Sequence, residues 1–402
     1  MLPDPEVGLS HRPVLLFYCQ HSLGIGHLTR SFALVRALVA RFQVVFLNGG
    51  RLPAGIEVPG EMLRIDMPAL GMDDGHTVIS RSETLDVDQV RLHRSHLIEQ
   101  AVRRFRPAIV LVEMFPFGRK KFSGEILAMI RLCRDLTGGR VKVVCSLRDI
   151  LVDARPDQQH HDDRARWLAD RYFDRVLVHA DPSLARLDDT FRPRVALRVP
   201  VEYTGYVVPS RPDDPPVGRG EYLLVSAGGG IVGDGLFRMA IRAREYLSRP
   251  LPMRIVAGPF LPENQWQALR ALTAAMPDIE LVRQVPDLAL EMRRARASLS
   301  QCGYNTALDI AVSGVPALVV PYATSTENEQ ERRAVRLAEM GALRHRCARL
   351  LDAATLAQEI ERLLAFEPCA GSLDLNGAAS TERHLVTLMS SADEWRSAGE
   401  PA

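Results

Sequence analysis

Residues 14–47, VLLFYCQHSLGIGHLTRSFALVRALVARFQVVFL, contain two apolar runs separated by a glycine-rich loop and an amphipathic stretch. The runs Val14–Cys19 and Val44–Leu47 are uninterrupted, as in parallel strands that are buried on both faces of a sheet. Between them, Ser31–Ala40 has the apolar spacing of a helix. A strand, a helix and a second strand in this order predict a doubly wound α/β sheet.

The same alternation continues along the chain in two blocks. The first block adds the predicted helix Gln89–Arg104 and three further strands, Ile109–Val112, Val141–Cys145 and Val176–Val178. The segment PSRPDDPPVGRG at 209–220 can form neither a helix nor a ladder and is predicted to be a linker. The strands predicted after it are Tyr222–Ser226, Met253–Val256, Ile279–Val282, Ala297–Leu299 and Ala317–Val320. We therefore predict two tandem α/β domains, 1–208 and 221–380. Residues 381–402 should contain a helix, near 381–395, that packs back on the first domain.

Composition excludes several classes of protein. With 402 residues, the chain is long enough for two domains, and its 25% charged and 47% hydrophobic residues are ordinary for a globular protein. A net charge of +1 gives no broad electrostatic reason to bind nucleic acid. The six cysteines show no ligand or disulfide spacing, no stretch is typical of a signal peptide, and no apolar run has bilayer length. We predict a cytoplasmic protein without a structural metal.

The loop QHSLGIGHLTR at 20–30 follows the first predicted strand, where open α/β sheets bind their ligands. Gly24 and Gly26 permit a tight turn, and His27 falls at the start of the helix. An imidazole has a pKa suited to accepting a proton from a hydroxyl near neutral pH. The alternative is that His27 only caps the helix. His21 is a weaker candidate, as a partner of that site.

The loop AGGGIVGDG at 227–235 follows the first strand of the second block. Gly228, Gly230 and Gly233 have the GxGxxG order of a dinucleotide site, but the next strand ends in Ala-Gly-Pro without the acidic residue that would bind a ribose. We therefore expect glycine amides at a helix start that hold a phosphate.

A third polar region, SQCGYNTALDIAVSGVPALVVPYATSTENEQ, occupies residues 300–330. Gly303, Asn305 and Thr306 lie at a predicted helix start, where free amides form a second anion site. Asp309 lies one turn further and either binds sugar hydroxyls or favours the helix terminus electrostatically. Glu329 and Gln330 begin the next helix and are equally compatible with plain solvent exposure.

The segment EMFPFGRKKF at 113–122 follows the strand Ile109–Val112. Glu113 is either an alternative base or the residue that orients His27. The phenylalanines and the cations Arg119, Lys120 and Lys121 are compatible with an acceptor site, with weak peripheral contact to a membrane, or with a packed loop.

Together, these motifs resemble a known family. The pattern SxCGYNTxxDxxxxGVPALVVP…ENEQ…RA…LAxMG, with GIGHLTR near the start, resembles the MurG-like group of glycosyltransferase family 28. The resemblance spans both blocks and implies the GT-B fold, in which two Rossmann-like domains face a central cleft. It also implies a nucleotide-sugar donor, with UDP-sugar favoured, and a small-molecule or lipid-linked acceptor.

The resemblance implies a role for each candidate residue. His27 would deprotonate the acceptor or support it, and Val285 would contact the uracil edge through its backbone. Asp309 would bind the ribose, where the family usually has glutamate. Glu329, which is often glutamine in the family, and Gln330 would contact the sugar. The full set of donor-binding candidates is Gly26, Gly228, Gly229, Gly230, Val285, Gly303, Asn305, Thr306, Asp309, Glu329 and Gln330.

The expected reaction needs no metal or other cofactor. Two glycine-rich helix starts stabilise the leaving diphosphate, while a base acts from the opposite side of the sugar carbon, which gives inversion. The alternatives are a nucleotide-sugar hydrolase in which the same histidine activates water, and a sugar-nucleotide binding protein without activity. A nicotinamide oxidoreductase is disfavoured because the ribose-binding acid is missing.

Overall fold

The protein is described by a computed structural model that covers residues 12–21, 26–52, 56–73, 77–149, 157–208, 220–323, 328–369 and 373–397. Gly24 and, apart from Gly220, the predicted linker at 209–220 lie outside these ranges. The chain divides into two units. Unit 1 contains Met1–Ser210 and Asp374–Ala402, and unit 2 contains Arg211–Leu373.

The strands are short and are distributed over both units. In chain order they are β1 (Val14–Cys19), β2 (Gln43–Asn48), β3 (Leu63–Asp66), β4 (Leu70–Met72), β5 (Val78–Ser80), β6 (Ile109–Glu113), β7 (Lys142–Arg148), β8 (Arg175–His179), β9 (Val201–Tyr203), β10 (Leu223–Ser226), β11 (Met253–Val256), β12 (Ile279–Val282), β13 (Ala297–Ser300), β14 (Ala317–Val319) and β15 (Arg344–His345).

Helices connect most of these strands. They are α1 (Gly26–Leu38), α2 (Val87–Phe105), α3 (Ser123–Thr137), α4 (Gln158–Tyr172), α5 (Asp234–Ala243), α6 (Glu263–Thr273), α7 (Leu288–Arg294), α8 (Tyr304–Ser313), α9 (Glu329–Glu339), α10 (Ala353–Leu364) and α11 (Gly377–Ser397). Among the described residues, no helix combines the length and the apolar character needed to cross a membrane.

Each unit is built on a parallel sheet. The sheet of unit 1 has the order β3-β2-β1-β6-β7-β8-β9, and that of unit 2 has the order β12-β11-β10-β13-β14-β15. The central strands are fully buried, as their unbroken apolar sequences require when helices cover both faces. The doubly wound parallel sheets predicted from the sequence are confirmed. The edge strands β3, β9 and β15 and the β4–β5 hairpin were not predicted, because each of these strands has four residues or fewer and none contains a long apolar run.

The C-terminal segment belongs to unit 1. Helix α11 packs against α1, and Val207 forms an antiparallel bridge with Asn376. The Asp374 amide donates to the Asp181 carboxylate at 3.0 Å, and the Tyr206 amide donates to the Asp374 carbonyl at 2.6 Å. The chain therefore returns to unit 1 at Asp374, whereas the sequence analysis placed residues up to 380 in the second domain.

Candidate functional site

A histidine–carboxylate pair occupies the carboxyl edge of the sheet of unit 1. His27 lies in the first turn of α1, and Glu113 is the last residue of β6. Because β1 and β6 are parallel neighbours, the loop after β1 and the end of β6 meet at the same edge. The His27 Nδ1 lies 2.6 Å from Glu113 Oε1. The structure therefore brings together the two catalytic candidates of the sequence analysis.

Glu113 is fully buried and is also bound by two arginines. Arg30 Nη2 donates to Oε1 at 2.6 Å, and Arg119 donates to Oε2 through Nη2 at 3.2 Å and Nε at 3.4 Å. Burial on its own would raise the pKa of Glu113, but His27, Arg119 and Arg30 outweigh it and hold this pKa well below its usual range. Glu113 is therefore a permanent anion and an acceptor of hydrogen bonds.

The electrostatics of the site keep His27 uncharged at neutral pH. Loss of solvent around the ring lowers the pKa of His27 to about 4; Glu113 opposes this shift, and the two arginines add to it. A neutral imidazole beside a carboxylate donates its Nδ1 proton to that carboxylate, so the lone pair lies on Nε2. About a fifth of the His27 side chain is exposed. The ring is therefore a neutral base with access to solvent.

Neighbouring residues of the first loop have other positions. Gly26 is the first residue of α1. His21 is buried, and its Nε2 lies 2.8 Å from Asn48 Oδ1, at the end of β2. Arg30 was not predicted, although its signal was in the sequence: it lies three residues after His27, on the same face of a helix.

In unit 2, a glycine loop follows β10 and leads into α5. Gly228 and Gly230 have φ angles of 56° and 91°, which side-chain-bearing residues rarely adopt. A Cβ on Gly230 would lie 2.2 Å from the Ala257 carbonyl oxygen, so the backbone packs too closely for any side chain. This loop therefore presents backbone, including the Gly229 peptide, at the carboxyl edge of the sheet.

The start of α8 lies beside the glycine loop. Gly303 is the N-cap of α8, and a Cβ on it would have no neighbour within 4 Å among the described residues. Thr306 is buried, and its Oγ1 lies 3.4 Å from the position of a Cβ on Gly228. Because β10 and β13 are adjacent parallel strands, the two predicted phosphate-binding loops lie side by side at the carboxyl edge of the sheet.

Gln330 connects two loops of this surface. Its Oε1 accepts hydrogen bonds from the amides of Cys302 and Tyr322, each at 3.2 Å. These two hydrogen bonds fix the side-chain oxygen of Gln330 towards the backbone, so its Nε2 donor points away from these two amides. Arg333, buried on the same helix, donates to the Cys302 carbonyl at 2.9 Å and supports the loop from below. The sequence analysis did not identify Arg333.

The remaining donor candidates are half-buried at the positions expected from the elements. Val285 lies in the turn between β12 and α7, Asn305 and Asp309 lie on α8, and Glu329 is the first residue of α9. Nowhere in the described ranges do three or more His, Cys, Asp or Glu side chains come together so that they could hold a metal ion.

The chain is similar to known glycosyltransferases in sequence. Residues 253–379 match the glycosyltransferase family 28 C-terminal domain. The chain is 25% identical over 350 residues, 84% of its length and 87% of the relative's, to the UDP-N-acetylglucosamine--N-acetylmuramyl-(pentapeptide) pyrophosphoryl-undecaprenol N-acetylglucosamine transferase of Phenylobacterium zucineum (strain HLK1). The transferase of the same name from Thiobacillus denitrificans (strain ATCC 25259 / T1) is 28% identical over 54% of this chain and 57% of its own length.

A solved structure shows the same fold. The crystal structure of Acinetobacter baumannii MurG matches 94% of this chain and all of its own chain, with a TM-score of 0.55 and 18% sequence identity. At that identity the likeness concerns the arrangement of the elements, and the chemistry has to be argued from the residues of the site.

Proposed function

We propose that this chain, a MurG-like glycosyltransferase with a family 28 C-terminal domain, moves a sugar from a UDP-sugar to an acceptor hydroxyl with inversion and without a metal ion. The observation that carries the proposal is the neutral His27 imidazole, bound through Nδ1 to the buried Glu113 carboxylate. This pairing provides a base at the edge of the sheet where α/β proteins bind ligands.

In the proposed reaction, His27 Nε2 accepts the proton of the acceptor hydroxyl. The acceptor oxygen forms a bond to the anomeric carbon of the sugar while the bond from that carbon to the diphosphate breaks. UDP leaves with the electron pair of the broken bond. Attack and departure on opposite faces invert the carbon, so no covalent intermediate on a second carboxylate is required.

The leaving diphosphate is stabilised by unit 2. In the proposed site, the Gly228 and Gly229 amides and the start of α8 at Gly303 are oriented by the fold before the donor arrives, and the N-terminus of α8 has a partial positive charge. The Gly230 amide instead donates to the Ala227 carbonyl at 3.0 Å and holds the turn of the loop. Val285 and Asp309 then bind the nucleoside, and the Gln330 Nε2 donates to the sugar.

The acceptor remains defined by class, a small molecule or a lipid-linked compound. The curated relatives are named for a lipid-linked acceptor, which makes a lipid the first class to test. We place the reaction in the cytoplasm because the six cysteines have no pairing pattern and because nucleotide sugars are the expected donor.

UDP should stabilise the full chain against thermal unfolding more than ADP, GDP or dTDP does, since a ligand that binds the folded state raises its apparent stability. Turnover of UDP-N-acetylglucosamine should be slow in buffer, should rise when a bacterial lipid extract is added, and should be unchanged by EDTA. UDP release at full rate in buffer would instead support the hydrolase, and restoration of an EDTA-treated enzyme by magnesium would contradict metal independence.

The two ends of helix α8 allow a matched test of the phosphate site. Gly303→Ala places a methyl group in open space at the proposed site, so UDP affinity should fall by roughly tenfold while the melting temperature is unchanged. Gly314→Ala, at the other end of the helix with φ 61°, should lower stability by about 1 kcal/mol and leave UDP affinity unchanged. Isothermal titration and thermal unfolding of both variants give the answer. Equal UDP affinities in the two variants would contradict the assignment.

A further inference from the structure

An exposed aromatic ring lies against the glycine loop of unit 2. Phe260 follows β11 and is 37% exposed. Its amide donates to the Gly229 carbonyl at 2.9 Å, and a Cβ on Gly229 would lie 3.3 Å from Phe260 Cδ2. Single exposed apolar side chains are common on protein surfaces, so it is the contact of this ring with the glycine loop, and not its exposure, that singles it out.

The segment that carries this ring contacts the glycine loop on one side and the segment after β12 on the other. Gly258, with φ 89°, packs so closely on the glycine loop that a Cβ would lie 2.5 Å from the Gly229 carbonyl carbon. Its amide donates to the Arg283 carbonyl at 2.9 Å, on the segment that leads from β12 to Val285. The segment 258–260 therefore bridges the proposed diphosphate loop and the proposed uracil-reading turn.

The strand order sets the distance between these two places. Strand β11 lies between β12 and β10, and neighbouring strands are spaced by about 4.8 Å, so the ends of β12 and β10 are about 10 Å apart. A nucleoside diphosphate that extends from the diphosphate loop after β10 to the turn after β12 must cross the loop after β11. Its ribose and base then pass over the segment that bears Phe260.

We propose that Phe260 is the apolar platform on which the uridine part of the donor packs. This inference rests on the proposed function and adds to it the residue that recognises the nucleoside. Every base and every ribose presents an apolar face, and an aromatic ring beneath it contributes to affinity without hydrogen bonds. Phe260 would thus supply affinity, while the Val285 backbone supplies the choice of base.

A second aromatic ring nearby does not have this role. Trp266, on α6, is covered by the Arg283 guanidinium, whose Cζ lies 5.0 Å from the ring centroid. Arg283 is held there by Glu263 at 3.3 Å. The cation occupies one face of the indole, and the Trp266 side chain is half-buried on the helix. Of these two rings, Phe260 is the one without a cation over its face among the described residues.

The test is calorimetric titration of the full chain with UDP and, separately, with inorganic pyrophosphate. Phe260→Ala should weaken UDP binding by roughly tenfold or more and leave pyrophosphate binding within about twofold, because stacking involves the nucleoside alone. Phe260→Trp should restore UDP affinity. Tyr246→Ala, which removes another exposed ring of unit 2, should change neither titration.

Each other outcome counts against the inference. Wild-type UDP affinity in Phe260→Ala would overturn it, and so would an equal loss for UDP and pyrophosphate, which would mean that the ring acts only by supporting the glycine loop. Failure of the wild-type chain to bind UDP would overturn the proposed function itself.

Discussion

His27→Ala should lower kcat by about 10²–10⁴-fold and leave the affinity for UDP unchanged, because in the proposed mechanism the imidazole acts on the acceptor proton while unit 2 binds the nucleotide. The variant should fold normally. Glu113 keeps both arginine partners when the imidazole is removed, so no buried charge is left uncompensated. Steady-state rates and calorimetric titration with UDP measure the two quantities separately.

Two controls sharpen this experiment. Added imidazole should restore part of the rate of His27→Ala, since the wild-type ring is partly exposed and its site is therefore reachable. His21→Gln should retain the rate within about tenfold, because His21 is bound to Asn48 and does not contact Glu113 through any hydrogen bond described. A His27→Ala enzyme that keeps its rate, or that no longer binds UDP, would contradict the assigned role.

Glu113→Gln should reduce both activity and stability. The amide cannot offset a developing imidazolium; the equivalent change in a serine protease triad costs about 10⁴-fold, so we expect a fall of about 10²–10⁴-fold in kcat. It also leaves the almost fully buried Arg30 beside a neutral partner, which should lower the free energy of unfolding by about 3–5 kcal/mol. Rates and urea unfolding measure the two effects.

The pH profile distinguishes a catalytic pairing from a structural one. The kcat/KM of the wild-type enzyme should stay level from neutral pH downward and fall as pH drops below the His27 pKa of about 4, where the base becomes protonated. Glu113 raises this pKa, so Glu113→Gln should move the fall to lower pH. Arg119 lowers it, so Arg119→Gln should move the fall to higher pH. Shifts in the same direction for both variants would contradict the proposed coupling.

Several strands could be predicted from the sequence because a short apolar run in the chain is enough to indicate each of them. Strands β1, β11 and β12 have the predicted bounds. The unbroken apolar sequence of β1 is typical of a strand covered on both faces, whereas β11 and β12 each contain one charged residue, Arg254 and Glu280, among apolar neighbours. Half-exposed edge strands need not contain an apolar run. Strand β9 is half-buried throughout, so the sheet partner that stabilises it is encoded elsewhere in the chain.

The sequence predicted which residues belong to the candidate site, but it predicted few of the contacts between them. His27 and Glu113 are 86 residues apart, and their meeting follows from the pairing of β1 with β6, which no local pattern reveals. The arginines on Glu113 depend on the same non-local geometry. In unit 2 the glycines were identified from their order, whereas the role of the Gln330 oxygen as acceptor of two backbone amides required coordinates.

The pairing of Val207 with Asn376 has a consequence for the evolution and engineering of this chain. The residues at which the backbone departs from unit 1 and re-enters it are bonded neighbours, so unit 2 is an insert with adjacent ends. Such an insert can be excised by a short splice or exchanged for the homologous cassette of another enzyme while the host core keeps its own contacts. Under the proposed function, in which unit 2 binds the donor, chimaeras cut at these two residues should inherit donor choice from one parent and acceptor choice from the other.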